Sequence, residues 1–171
     1  MSKKDCLLSV TDLCVDFQTD QGTLNVLDHV SFDIEKGKTL GLVGESGCGK
    51  SVTSLAIMKL LPQPAGSIRS GTVSFNNVPL SNLAPKELRK IRGNRIAMIF
   101  QEPMTALNPV KAIGKQIAEV FELHRPELTK KQMLEETINV LDKVGIPDAE
   151  KRIFEYPHQL SGGMRQRVMI A

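Results

Sequence analysis

One run of eight residues constrains this chain more than any other: Gly44-Glu45-Ser46-Gly47-Cys48-Gly49-Lys50-Ser51. It fits the pattern G-x-x-x-x-G-K-[ST]. Before it lies a short apolar run, Thr39–Val43, which reads as a buried strand. After it comes a helical pattern, Ser51–Leu61, stopped by Pro62. A strand that enters a helix through such a loop is built to hold phosphate. The glycines let successive backbone N–H groups turn inward on an anion. The new helix presents unpaired N–H groups and the positive end of its dipole. Lys50 is placed to reach the β- and γ-phosphates of a nucleotide, and Ser51 to offer its hydroxyl to Mg²⁺. Phosphate contact is therefore expected from Gly44, Glu45, Ser46, Gly47, Cys48, Gly49, Lys50, Ser51 and Val52. A dinucleotide fingerprint fails on spacing, because its third glycine would fall where Val52 stands. Cys48 serves the loop through its backbone; a redox role for its thiol is the lesser reading.

The rest of the composition narrows the class without naming a ligand. The 171 residues are 41% apolar and 24% charged, enough for one ordinary domain with a sizeable core. Twenty-two basic residues against 19 acidic ones leave +3, too small an excess to argue for nucleic acid or a membrane surface. The three cysteines, Cys6, Cys14 and Cys48, are too few and too scattered for a disulfide framework or a four-thiolate metal site. A reducing cytosol is the expectation they support. No stretch approaches the roughly 18–20 apolar residues that span a bilayer. The N-terminus meets Asp5 at once and is not a secretory signal, so a soluble protein is expected.

Texture divides the chain near residue 101. In the first part Leu13, Val15 and Phe17 alternate with Cys14, Asp16 and Gln18, and Val30, Phe32 and Ile34 repeat the pattern. Thr19–Gly22 and Lys36–Lys38 read as turns, and Gly71–Phe75 and Arg95–Phe100 as further strands. Beyond, Ile113, Ile117, Val120 and Phe121 keep helical spacing, as do Met133, Ile138, Leu141 and Val144 before Gly145 and Pro147. Thr129 and Gln132 form a capping-box pattern at the start of that second helix.

A second motif, Leu160-Ser161-Gly162-Gly163-Met164-Arg165-Gln166, stands 111 residues after Lys50 and precedes the apolar Val168–Ala171. Alone it is a capped helix start with a pair of glycines. With the phosphate loop, and with Gln101 following the expected strand Arg95–Phe100, it resembles the signature of the ATP-binding cassette (ABC) ATPases. The segments Gly44–Ser54, Ala97–Pro109 and Tyr156–Ala171 are similar to those of the subfamily that powers uptake of oligopeptides, dipeptides, nickel or glutathione.

The resemblance implies a P-loop (RecA-like) α/β core with an antiparallel β subdomain, and a helical subdomain. Residues 1–101 would form the first part and 102–171 the second. It implies ATP and Mg²⁺, with Lys50 and Gln101 in catalysis and Ser51 and Gln101 at the metal. It implies a head-to-tail partner, identical or paralogous, in which Ser161, Gly162 and Gly163 grip the γ-phosphate held by the other copy. Integral-membrane permease subunits would dock near Gln101–Pro109, an extracytoplasmic solute-binding protein would act indirectly, and the location would be the cytoplasmic face of the membrane. An early aromatic residue stacks on adenine in the family; Phe17 is the candidate, with a place in the core beside Leu13 and Val15 as the alternative. The family continues past its signature with a strand ending in a Mg²⁺-binding Asp, a Glu and a later His. These have no counterpart here, so the resemblance implies the N-terminal part of a longer ATPase, cut before that strand and inactive alone.

Other features read plainly. His29, His124 and His158 lack metal spacing. Lys86, Arg89, Lys90, Arg92 and Arg95 lack interleaved aromatics and read as a solvated face rather than a nucleic-acid patch. Two competing readings stand beside the importer subunit: a soluble ABC protein acting on nucleic acid, and a catalytically incomplete nucleotide-binding remnant.

Overall fold

The computed structural model describes residues 6–100 and 106–171. Two compact units divide it, Met1–Arg89 and Lys90–Ala171.

The first unit is built on a long hairpin. Strands β1 (Cys6–Thr19) and β2 (Gly22–Glu35) pair antiparallel through a tight turn at Asp20 and Gln21. Strand β3 (Gly66–Phe75) pairs with the other side of β1, and the short β4 (Val78–Pro79) follows, giving the order β2-β1-β3-β4. The alternation read from the sequence holds on the core side, where Val10, Leu13, Val15 and Val73 are buried. Each such side chain contributes about 1.5–3 kcal/mol by leaving water. Helix α1 (Lys50–Ile57) turns Thr53, Ala56 and Ile57 inward. A cavity of only about 30 Å³ separates Leu13, Ala56, Ile57, Val73 and Leu80, so helix and sheet are tightly packed.

Cys14 departs from the simple alternation. It is fully buried although it occupies the polar phase of β1. The Ser70 hydroxyl and the His29 backbone N–H hold its thiol below the usual range, with Arg69 adding to the effect. Bulges explain the position: register shifts fall at Val10/Leu13 and Leu13/Val15, and Asp12 and His29 adopt positive φ of 49° and 47°. Gly71, at φ +95°, lies so close to β1 that a Cβ there would stand 2.4 Å from the Asp12 carbonyl oxygen. Only glycine fits that approach.

Two expected strands are not formed. Thr39–Val43 is irregular and outward, with Val43 92% exposed. Arg95–Phe100 contributes only an isolated bridge, Arg92 to Ile96, and leaves Ile99 and Phe100 exposed. The reason is pairing: an apolar run becomes a strand only when neighbours take up its N–H and C=O groups, and among the described residues the one sheet offers these two segments none. Helix α1 also ends earlier than its pattern. Lys59 turns left-handed at φ 51°, Leu60 N–H donates to the Leu55 carbonyl, and Lys59 N–H donates to that of Ala56. This closing motif stops the helix before Pro62 is reached.

Helix α2 (Pro85–Ile91) buries Leu88 and exposes Lys86, Arg89 and Lys90, the solvated face expected. In the second unit, α3 (Ile113–His124), α4 (Lys130–Lys143), the single turn α5 (Ala149–Arg152) and α6 (Gly162–Ile170) surround one core. Ile113, Ile117, Leu141, Ile146, Ile153 and Val168 form its centre. The α3 N-terminus is tied in by backbone bonds from Ile113 to Glu155 and from Gly114 to Ile153. The capping box at α4 is complete: Thr129 accepts from the Gln132 N–H, and the Gln132 side chain accepts from the Thr129 N–H. Thr129→Ala should cost about 1 kcal/mol of stability, measured by urea unfolding, because it releases one bond of a two-bond closure. Among the described residues no helix is long and apolar enough to cross a membrane.

Candidate nucleotide-binding site

Residues 44–49 bend the chain into α1, while the strand expected ahead of the loop, Thr39–Val43, is not formed. Gly49 caps the helix at φ 94°, and Cys48 N–H closes the turn onto the Glu45 carbonyl. Two neighbours force glycine at position 49. A Cβ there would lie 2.6 Å from Leu27 Cδ2 and 3.3 Å from the Val26 carbonyl oxygen. The loop thus rests on β2, and Leu27, itself buried, is its floor. Nothing in the motif pointed to Leu27; the contact joins residues 22 apart in sequence.

Lys50 folds back over the loop. Its Nζ donates to the carbonyls of Gly44 at 2.8 Å and Glu45 at 2.6 Å, and lies 3.4 Å from Cys48 Sγ. The ammonium is therefore held at the mouth of the loop. The start of α1 has no side-chain cap and no acidic residue in its first turn. The positive end of its dipole is thus uncompensated, which suits an anion. Ser51 is exposed with its hydroxyl available, Val52 is half-buried, and Thr53 turns inward to donate from Oγ1 to the Gly49 carbonyl at 3.0 Å. Thr53 fixes the first turn, a role that the sequence pattern left unread. Glu45, Ser46 and Gly47 are exposed on the loop.

Phe17 is half-buried. It pairs with Leu24 and Gly66, and its ring edge lies 3.1–3.2 Å from the position a Gly66 Cβ would take. The ring thus lies across the glycine of β3. Gln101 falls outside the described residues, as do the four that follow it.

The second motif starts α6. Ser161 is its cap and accepts from the Met164 N–H at 3.3 Å. Arg165 Nε donates to the Leu160 carbonyl, and Arg167 Nη1 donates to that of Gly145 at 2.7 Å. These bonds and the buried Leu160 and Val168 hold the helix start in place. Gly162 and Gly163 are exposed, and a Cβ on either would meet nothing within 4 Å among the described residues. Neither glycine is needed by this unit's own packing. Gly163→Ala should therefore raise stability by about 0.5–1 kcal/mol through helix propensity alone, read as a higher midpoint in thermal unfolding. His158 stacks on Tyr156 with ring centroids 5.7 Å apart.

An open groove of about 420 Å³ runs along the second unit, lined by Met98, Phe100, Leu107, Val120, Val168 and Met169 among others. Gln116 shapes its rim. It accepts from the Asn108 N–H and donates to the carbonyls of Asn108 and Lys111, folding residues 108–111 into a turn. Sequence reading did not single out Gln116, since a lone glutamine on a helix gives no signal.

Among characterised proteins, a dipeptide transport ATP-binding protein of Bacillus subtilis (strain 168) is 50% identical over 96% of this chain and 49% of its own length. An oligopeptide transport ATP-binding protein of the same strain is 48% identical over 96% of this chain and 46% of its own. The chain thus spans about half the length of these relatives. Its fold matches a solved dimeric ATP-binding cassette in a post-hydrolysis state bound to ADP and Pi, at a TM-score of 0.81 and 23% identity, over 96% of this chain and 67% of that one. The phosphate-loop fold with its β and helical parts is therefore that of ABC cassettes. The ABC transporter profile matches residues 27–171, and the chain belongs to that family.

Proposed function

We propose that this protein is the ATP-binding subunit that energises an importer of peptides or related small solutes: dipeptides, oligopeptides, nickel or glutathione. The observation that carries the reading is the phosphate cradle itself, with Lys50 held at the mouth of a loop that opens onto a helix end without a side-chain cap. Peptide-transport relatives at about half identity support the solute class.

In this reading Lys50 neutralises the β- and γ-phosphates, Ser51 ligates Mg²⁺, and Gln101 contacts Mg²⁺ and the attacking water. The loop N–H groups from Gly44 to Val52 line the phosphates. Phe17 stacks on adenine; its half-burial leaves part of the ring for that purpose. Residues 1–101 act as the nucleotide core and 102–171 as the helical part that answers it. The uncrowded backbone at Gly162 and Gly163, with Ser161 beside it, grips the γ-phosphate of a second ATP-binding subunit. An anion shared between two helix N-termini draws two subunits together, and hydrolysis releases them. The segment 101–109 docks an integral-membrane permease subunit, helped by the groove that Leu107 and Asn108 line; the protein then works at the cytoplasmic face of the membrane, and an extracytoplasmic binding protein supplies the solute.

A tagged protein captured from detergent-solubilised membranes tests this. Recovery with integral-membrane permease subunits is the expected result. Recovery with DNA or ribosomes instead would replace the importer reading with a nucleic-acid role.

A further inference from the structure

The β1–β2 hairpin gathers polar chemistry that the nucleotide site does not use, around the buried Cys14. Cys14 Sγ, an Asp28 carboxylate oxygen and an imidazole nitrogen of His29 all lie within 4.8 Å of one another. The sequence hid this, because Cys14 stands on β1 and the other two on β2, and no local spacing links them. The bulges bring them together. His29 sits at φ 47°, its backbone N–H donates to Cys14 Sγ at 3.3 Å, and its ring reaches toward Asp12 at 3.8 Å and Asp28 at 4.0 Å.

The surroundings are acidic and already hold one cation, Arg69. Asp16 carries one buried carboxylate oxygen with no hydrogen-bond partner among the described residues. Its other oxygen lies 3.6 Å from Arg69 Nε, and Arg69 Nη2 also reaches Asp28 at 3.4 Å. One guanidinium therefore serves two carboxylates and lies against the thiol. Arg69 is 47% exposed.

We propose that Cys14, Asp28 and His29 form a binding site for a thiophilic divalent cation, with Zn²⁺ the type ion, that staples β1 to β2. A thiolate, an imidazole and a carboxylate are a ligand set such an ion takes, and the fourth position is left to water. Tetrahedral coordination needs ligand atoms about 3.3–3.8 Å apart, from metal–ligand bonds of about 2.0–2.3 Å. Small rotations of the exposed Asp28 and His29 side chains, 70% and 67% exposed, close the remaining distance. Arg69 releases Asp28 as the ion enters, and the ion takes over its charge.

Co²⁺ is the probe, titrated into the reduced protein and then displaced by Zn²⁺. The expected result is one ion per chain, with a thiolate-to-cobalt charge-transfer band that disappears in Cys14→Ser and persists in Cys48→Ser. Asp28→Asn and His29→Asn, both at exposed positions, should weaken binding at least about 10- to 100-fold, the range set by loss of supporting groups alone. Asparagine also tolerates the left-handed backbone at position 29. Arg69→Gln should tighten binding, because it removes a competing cation. If Cys14→Ser does not fold, the two exposed variants decide. The proposal is overturned by absence of the band, by a band that survives Cys14→Ser, or by affinity indifferent to His29→Asn.

Discussion

Lys50→Ala should lower affinity for ATP about 10- to 100-fold and leave the fold intact. The magnitude follows from losing a charge-assisted contact, worth about 1.5–3 kcal/mol. The fold survives because Lys50 spends its ammonium on two loop carbonyls at the surface rather than on the core. Titration with ATP beside a thermal melt separates the two effects. Equal affinity in the variant would mean that phosphate is held elsewhere.

Gly49→Ala acts by a different route and strikes stability as well as binding. A left-handed conformation costs a non-glycine residue about 1–2 kcal/mol. The added methyl also overlaps Leu27 Cδ2 at 2.6 Å, and crowding of a packed site costs about 1–3 kcal/mol. The two costs sum to about 2–5 kcal/mol, which should lower the midpoint of thermal unfolding by about 4–20 °C in a chain of this size. ATP affinity should fall with it, since the N–H groups of the first turn of α1 would no longer keep their direction. The contrast with Gly163→Ala is informative: the same methyl is costly where β2 lies beneath the glycine and harmless to the fold where nothing does.

Local signals carried much of this molecule. The loop from 44 to 51, the β1–β2 turn, the Thr129 capping box and the Ser161 cap are each settled within a few residues, and each appears as the spacing demands. What escaped was non-local. Thr39–Val43 and Arg95–Phe100 have strand composition, yet a strand exists only in company, and composition does not say who the neighbour is. Leu27 beneath Gly49, Gln116 beneath residues 108–111, and the Cys14–Asp28–His29 cluster all depend on bulges, turns and pairings between segments. Phe17 shows the limit within a single residue: alternation puts it in phase with Leu13 and Val15, while its place at the hairpin end leaves it only half covered.

In the proposed arrangement two anion-gripping helix starts, one behind Lys50 and one behind Ser161, act on the same ATP from different copies. Analytical ultracentrifugation of the protein with and without ATP and Mg²⁺ tests it most directly, alongside Lys50→Ala and Gly163→Asp. ATP should drive the unmodified protein into dimers. Both variants should stay monomeric, the first because it holds the triphosphate poorly and the second because a carboxylate meets the γ-phosphate. Gly163→Asp dimerising with ATP as readily as the unmodified protein would contradict it.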